Sequence, residues 1–212
     1  MRGHRLFAGA LALGFAASSG AAQEARLVSI RDDATRDRVR LFIESAQRRG
    51  TPTEPLIARA LEGVAFKADA KRIEKEMAAL ESRMVRARKL LGRTATVDEL
   101  AAAADALAND VPEDALKRLR AYAPAHRSIT VEIGVLTELI AKGVAPKAAA
   151  KMVLDLVARG ATGVQLTELN AAVQQDVALG VAPVEALLVR FHGVMSLLPP
   201  PAGAVLAQPS RP

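Results

Sequence analysis

The chain has 212 residues, half of them apolar, with a formal net charge of +6 and no cysteine. This length suits one domain with a sizeable core, so a wholly disordered chain is not expected. The absence of cysteine excludes disulfides, thiol catalysis, iron–sulfur clusters and zinc sites built on thiolates. Ala, Leu and Val dominate the apolar half, and aromatic residues make up only 3 % of the chain. This composition favours an all-α fold.

Residues 1–22 have the pattern of a secretory signal peptide. Arg2 and Arg5 precede a run of twelve mostly apolar residues that ends at Ala17, and small residues follow up to a cleavage point after Ala21 or Ala22. An uncleaved membrane anchor is the alternative, but the run is shorter than the roughly 20 residues that span a bilayer. We therefore expect an exported protein, periplasmic or extracellular. Its mature form carries 27 Lys and Arg against 23 Asp and Glu.

The rest of the chain is predicted to contain three parts. A polar lead-in over 23–33 either packs on the domain or extends as a tether, a single all-helical domain follows over 34–198, and a tail rich in Pro and Ala over 199–212 is expected to be disordered. Within the domain, apolar residues recur every three or four positions and predict about nine helices.

The first two helices are predicted on either side of Gly50. The first can be capped by Asp33 or Thr35 and ends at two arginines before the glycine, and the second starts near Thr53.

The third helix is the longest and carries a narrow apolar seam. Spacings of four and three alternate through three heptads, as in a coiled coil, and Gly92 ends the run. Such a seam packs on another helix of the same chain or on a second copy. Its residues are Ile73, Met77, Leu80, Met84, Ala87 and Leu91. The homodimer alternative would use Ile73, Met77, Leu80, Met84 and Leu91.

The last part of this helix is basic. No acidic residue interrupts the stretch from 83 to 93, whereas acids and bases alternate before it. This pattern fits a solvated helix end, or contact with an anionic surface such as a membrane or lipopolysaccharide. The candidate contact residues are Arg83, Arg86, Arg88, Lys89 and Arg93.

Five further segments complete the helical domain. Thr96 and Glu99 form a capping box that begins the fourth helix, and a fifth, short helix runs from Pro112 to Pro124. Residues 129–135 alternate as in a strand, but their spacing through 141 is helical, and we predict a helix. The last three helices are predicted over 146–159, 164–179 and 183–196. The expected core face of the last one contains Ala186, Leu187, Phe191, Val194 and Met195.

A short motif recurs between helices. Gly143-Val144-Ala145-Pro146 returns almost unchanged as Gly180-Val181-Ala182-Pro183. The glycine supplies the left-handed conformation after one helix and the proline begins the next, so the motif is a helix corner. Looser versions of this corner motif occur at Gly50 with Pro52 and at Pro112.

The corner prolines are 34 and 37 residues apart, from Pro112 to Pro146 and from Pro146 to Pro183. Consecutive helical hairpins with such a period indicate an α-solenoid, and an irregular orthogonal bundle is the alternative. The period is similar to that of tetratricopeptide repeats, but the aromatic and glycine pattern of that family is missing.

No constellation for catalysis, metals or cofactors is present in the sequence. His126 and His192 lack a ligand at metal spacing, and the paired carboxylates lie at predicted helix starts. No serine lies in a nucleophile elbow, and the scarcity of aromatic residues argues against nucleic-acid and sugar clefts. We predict no catalytic residue, no cofactor and no nucleic-acid partner.

The predicted function is that of a non-catalytic, exported helical-repeat protein that binds a protein partner or acts as a scaffold in the cell envelope. Two alternatives stay open. One is a chaperone-like holdase, suggested by faces rich in Ala, Leu and Met, and the other is a hydrolase that uses acidic residues we could not identify.

Overall fold

A computed structural model describes residues 25–124 and 126–199. The predicted signal peptide and residues 200–212 of the predicted tail lie outside the described residues. The described chain is all-α and contains no strand. After one helical turn at 25–27, nine α-helices follow: α1 (Asp33–Arg48), α2 (Glu54–Ala65), α3 (Ala70–Leu91), α4 (Val97–Ala108), α5 (Glu113–Tyr122), α6 (Thr130–Ala141), α7 (Pro146–Ala158), α8 (Gly163–Ala178) and α9 (Pro183–Leu197).

The described chain divides into two compact units, with the boundary inside α3 between Glu81 and Ser82. In the first unit, α1 packs on α2. The lead-in also packs there, because Leu27 and Ile30 are buried and Arg36 donates a hydrogen bond to the carbonyl oxygen of Ile30 at 2.9 Å.

The start of α1 corrects the sequence prediction. The capping residue is Asp32, whose carboxylate accepts a hydrogen bond from the backbone N–H of Thr35 at 2.8 Å, and not Asp33 or Thr35. The hydrogen bonds from Thr35 hold the pKa of Asp32 below its usual value. Asp33 is already in the first helical turn, where a carboxylate still favours the positive end of the helix dipole.

Glu81 joins the corner after α1 to the first half of α3. Arg49 donates to both its carboxylate oxygens, at 2.9 and 2.7 Å, and the hydroxyl of Thr51 donates at 3.0 Å. Hydrogen bonding from Arg49 lowers the pKa of Glu81. Pro52 does not begin the next helix, because α2 starts at Glu54 and the proline of its first turn is Pro55.

In the second unit, the helices from α4 to α9 form two rows. One row contains α4, α6 and α8, each in contact with the next, and the other contains α5, α7 and α9. The rows also touch each other, because α6 packs on α5 and α7, and α8 packs on α9. The segment 129–135 belongs to α6, so its alternation does not make a strand.

Five corners share one hydrogen-bonding pattern, in which the residue after the left-handed position donates to the carbonyl five residues earlier. Gly143 and Gly180 both have φ of +94°, and Pro146 and Pro183 are the first residues of α7 and α9. Pro112 caps α5 rather than lying in its first turn. The left-handed residues of these corners are Gly50, Asp110, Gly143, Gly160 and Gly180.

The heptad seam of α3 is buried within the chain. Its six side chains, from Ile73 to Leu91, are at most 3 % exposed. They already serve intramolecular packing, so a homodimer through the same residues would have to expose them first.

Candidate functional site

The basic end of α3 is partly neutralised. Arg86 forms an ion pair with Glu113, and the Nε of Arg83 is buried. Arg88, Lys89 and Arg93 are exposed and have no ion pair within the described residues. Three of the five candidate residues therefore present free cations, and Val85, which is 46 % exposed, lies one turn before Arg88 and Lys89.

The two histidines among the described residues lie in unrelated places of the second unit. His126 is an exposed loop residue with φ of +72°, and the ring of His192 contacts Phe191 edge-on with a centroid distance of 5.6 Å. In the described part of the chain, no three His, Asp or Glu side chains are grouped so that they could hold a metal ion.

Glu99 is the most connected buried charge in the second unit. Its side chain is 2 % exposed. One oxygen accepts from the backbone N–H of Thr96 at 2.9 Å, and the other accepts from Arg120 at 3.0 Å and from the N–H of Ile129 at 3.1 Å. Arg120 in turn donates to the carbonyls of Pro124 and Arg127. Glu99 thus joins the starts of α4 and α6 to α5.

A cavity of about 380 Å³ opens beside Glu99 and is lined mainly by polar side chains. Both Glu99 oxygens already accept hydrogen bonds, and a second buried carboxylate, Glu132, is paired with Arg127 at 2.8 Å. Carboxylates engaged in this way act as structural anchors, because a general acid or base needs an oxygen that can reach a substrate.

A groove of about 440 Å³ lies in the first unit, between α2 and α3. Phe66, at its edge, is 80 % exposed, while two arginines and two glutamates balance the charge of its rim. The floor is tight, because a Cβ added at Gly63 would lie 2.8 Å from Ile73.

The last helix differs most from its predicted packing. Ala186 and Leu187 are buried as expected, but Phe191, Val194 and Met195 are only half-buried. Sequence periodicity predicted the helix correctly. It was wrong about the extent of burial, because only part of the apolar face of α9 packs against other helices.

Four apolar residues form a partly exposed stripe along α9, which we call the α9 flank: Val184, Leu188, Phe191 and Met195. Their spacing of four, three and four residues places them on one side of the helix, next to the buried face. Val184 and Leu188 are 40 and 41 % exposed. Val189, which is 67 % exposed, lies outside the flank, about 100° around the helix from Leu188.

The corner that leads into α9 also has exposed apolar side chains. In the four earlier corners, the side chain after the left-handed residue is at most 8 % exposed, whereas Val181 in the last corner is 40 % exposed. Leu179, just before it, is 78 % exposed. The flank and this corner therefore both leave apolar side chains exposed.

Polar contacts hold α9 in place at its middle and just after its C-terminal end. Arg190 makes two hydrogen bonds to Asp176 of α8, both 2.7 Å long, and these lower the pKa of Asp176. After the helix, Arg159 donates to the carbonyl of Pro199 at 2.9 and 2.6 Å. The α9 flank is consequently presented on an anchored helix.

Comparisons of the chain with protein-family models, with curated proteins and with solved structures found no match. No helix within 25–124 or 126–199 combines the length and the apolar character needed to cross a membrane.

Proposed function

We propose that this chain is an exported, non-catalytic helical-repeat protein of the cell envelope that binds a protein partner through the α9 flank. The observation that carries the proposal is the apolar stripe on α9, in which Val184 and Leu188 are exposed and Phe191 and Met195 are half-buried. The two rows of helices in the second unit fit consecutive stacked hairpins, an arrangement whose terminal helices usually have a polar outer side. An apolar outer side at that position is typical of a surface that another protein covers.

The exposed fractions of the flank side chains indicate how large the partner segment is. Burying a complete Val or Leu side chain contributes about 1.5 to 3 kcal/mol, so the exposed two fifths of Val184 and Leu188 would contribute about 1 kcal/mol each. A stripe of four residues suits one amphipathic helix with apolar residues at matching spacing.

The test uses two neighbouring residues of α9. Leu188 lies in the flank, whereas Val189 is more exposed and lies outside the flank. A photo-crosslinking amino acid is placed at 188 or at 189 of the exported protein in cells, and the Leu188→Asp and Val189→Asp variants are compared in pull-downs from envelope extract.

We expect one defined crosslinked protein from position 188, no such product from 189, and loss of the partner only in Leu188→Asp. Many crosslinked products from both positions, together with suppression of the aggregation of an unfolded client, would support the holdase alternative instead. Equal behaviour of the two variants would contradict binding through the flank.

A further inference from the structure

We infer that the basic end of α3 binds the phosphate headgroups of an anionic phospholipid membrane. The binding surface consists of Val85, Arg88, Lys89 and Arg93, and we call it the α3 basic surface. This contact is separate from the α9 flank and adds a lipid partner to the protein partner proposed above.

The charge around this surface is of one sign. Residues 82–97 contain five basic residues and no acidic one. Within the described residues, the ion pair that reaches this stretch is the one between Arg86 and Glu113. The dipole of α3 favours cations in its last turn, which accounts for Arg88 and Lys89. It does not account for the lack of acidic residues from 82 to 97.

The fold leaves these cations free, although it uses most other arginines of the second unit. Of the nine arginines within 82–199, six contact an acceptor group in the described chain. These six are Arg86, Arg118, Arg120, Arg127, Arg159 and Arg190. The Nε of Arg83 is buried. Arg88 and Arg93 are therefore the exposed arginines of this part of the chain that have no polar partner in it.

An apolar side chain lies among the cations. Val85, Arg88 and Lys89 are spaced three and four residues apart, so they project from one face of α3. Val85 is 46 % exposed, and Gly92, the next residue on that face, has no side chain. A membrane interface accepts this combination, because an apolar group enters the boundary of the acyl chains while cations stay among the phosphates.

The same features argue against a nucleic acid as the partner. Single-stranded nucleic acids are bound by aromatic side chains that stack on the bases. No aromatic residue occurs from 67 to 121. The free cations also have no fixed acceptor in the protein, which suits lipid headgroups that move laterally to meet them.

The expected strength follows from the number of free cations. Each Lys or Arg near an anionic membrane surface strengthens binding about fivefold, so three together contribute about a hundredfold. Salt shortens the range of this attraction from about 10 Å at 0.1 M to about 3 Å at 1 M. We therefore expect binding that depends on anionic lipid and weakens with salt.

Tryptophan fluorescence tests where the membrane touches the chain. The chain has no tryptophan, so Val85→Trp introduces a single one. The protein is used without residues 1–22, whose apolar run would itself bind lipid, and is mixed with vesicles of phosphatidylcholine with or without phosphatidylglycerol. Val164→Trp is the matched control, because Val164 is 67 % exposed in the same unit and no Lys or Arg lies within 160–189.

We expect the emission of Val85→Trp to shift to shorter wavelength only when phosphatidylglycerol is present. The emission of Val164→Trp should not shift with either vesicle. No shift at position 85, or equal shifts at the two positions, overturns the inference.

Two triple variants test the charges, because they remove the same net charge from different places of the second unit. The first combines Arg88→Gln, Lys89→Gln and Arg93→Gln. The second combines Lys117→Gln, Lys142→Gln and Lys147→Gln, at lysines that are also exposed and have no ion pair within the described residues. We expect the first to weaken co-sedimentation with phosphatidylglycerol vesicles about a hundredfold, and the second less than about tenfold. Equal losses would show that the vesicles respond to net charge alone, which overturns the inference.

Further measurements separate the membrane from other partners. Binding of the wild-type protein to DNA as tightly as to the vesicles would show a general polyanion contact and overturn the choice of a membrane. Leu188→Asp should keep full vesicle binding, and its loss there would overturn the assignment to α3. If no vesicle binding occurs but position 188 still crosslinks one envelope protein, this inference fails and the proposed function stands.

Discussion

Replacing Glu99 by Gln tests whether one buried carboxylate holds the second unit together. The change keeps the size of the side chain but removes its charge and turns one of its two acceptor oxygens into a donor. In one orientation, the Gln Nε2 would face the backbone N–H of Thr96, which donates to Glu99 at 2.9 Å in the wild-type protein. In the other orientation, it would face Arg120 and the N–H of Ile129, which donate to Glu99 at 3.0 and 3.1 Å. Either orientation leaves buried donors without an acceptor.

The magnitude follows from these contacts. A hydrogen bond to a charged group contributes about 1.5 to 3 kcal/mol, and a buried donor without a partner costs about 1 to 3 kcal/mol. Arg120 remains 20 % exposed, so water partly solvates its charge. The loss of stability should therefore be smaller than that from breaking a fully buried ion pair, which is about 3 to 5 kcal/mol. We expect Glu99→Gln to lower the free energy of unfolding of the second unit by about 2 to 4 kcal/mol.

The assay is urea unfolding monitored by tyrosine fluorescence. The chain has no tryptophan and a single tyrosine, Tyr122, which lies on α5 two residues after Arg120 and therefore reports on the second unit. Asp98→Asn is the matched control, because Asp98 is exposed in the same helical turn and should contribute only about 0.3 to 1 kcal/mol. If Glu99→Gln and Asp98→Asn lower the free energy of unfolding equally, the hydrogen bonds of Glu99 do not hold α4, α5 and α6 together.

Three further changes test other parts of the fold and surface. Gly143→Ala should lower the free energy of unfolding by about 1 kcal/mol because φ is +94° there, whereas Gly134→Ala, inside the preceding helix α6 with open space around it, should raise it by about 0.4 to 1 kcal/mol; equal signs in urea unfolding would contradict the corner geometry. Glu81→Gln should destabilise the first unit near neutral pH, and because the pKa of Glu81 is lowered in the folded state, its contribution is present above its ordinary pKa of 4.5 and is lost as the pH falls through the lowered value. Urea titrations by circular dichroism should therefore show the difference from wild type shrinking below that pH, and a constant difference would contradict the link to Arg49. Charge reversal of the three free cations at and just after the end of α3 should abolish any binding to anionic vesicles, and wild-type binding should weaken as salt rises to about 0.5 M; salt-independent binding would exclude an electrostatic contact. These cations are Arg88, Lys89 and Arg93.

Local patterns predicted the helices well because each depends on residues close in sequence. The capping box of Thr96 and Glu99 spans three residues, and the left-handed Gly143 follows directly from its place after α6. The same reasoning failed where a residue other than glycine takes the left-handed conformation. Asp110 has φ of +59° in the corner before Pro112, which lacks a glycine, and Lys67 has φ of +56° where the sequence predicted no corner.

The burial of Glu99 and the exposure of the α9 flank could not be predicted from the sequence, for one physical reason. Glu99 is buried because Arg120 and Ile129, 21 and 30 residues later, reach it. Leu188 is exposed because no other helix of the described residues covers it, although its apolar spacing resembles that of the buried α3 seam. Periodicity shows which side of a helix is apolar, but the presence of a neighbour on that side depends on tertiary contacts.

The repeated corner also has a consequence for how fast the second unit folds. Each corner closes with backbone hydrogen bonds that span at most five residues, and each helix of a row packs on the helix two places along the chain. Contacts so close in sequence keep the relative contact order low, and such proteins fold in microseconds to milliseconds. Any hairpin of the two rows can therefore act as the nucleus, with neighbouring hairpins adding to it in either direction, so the unit avoids the long searches that distant strand pairing imposes on β-rich proteins.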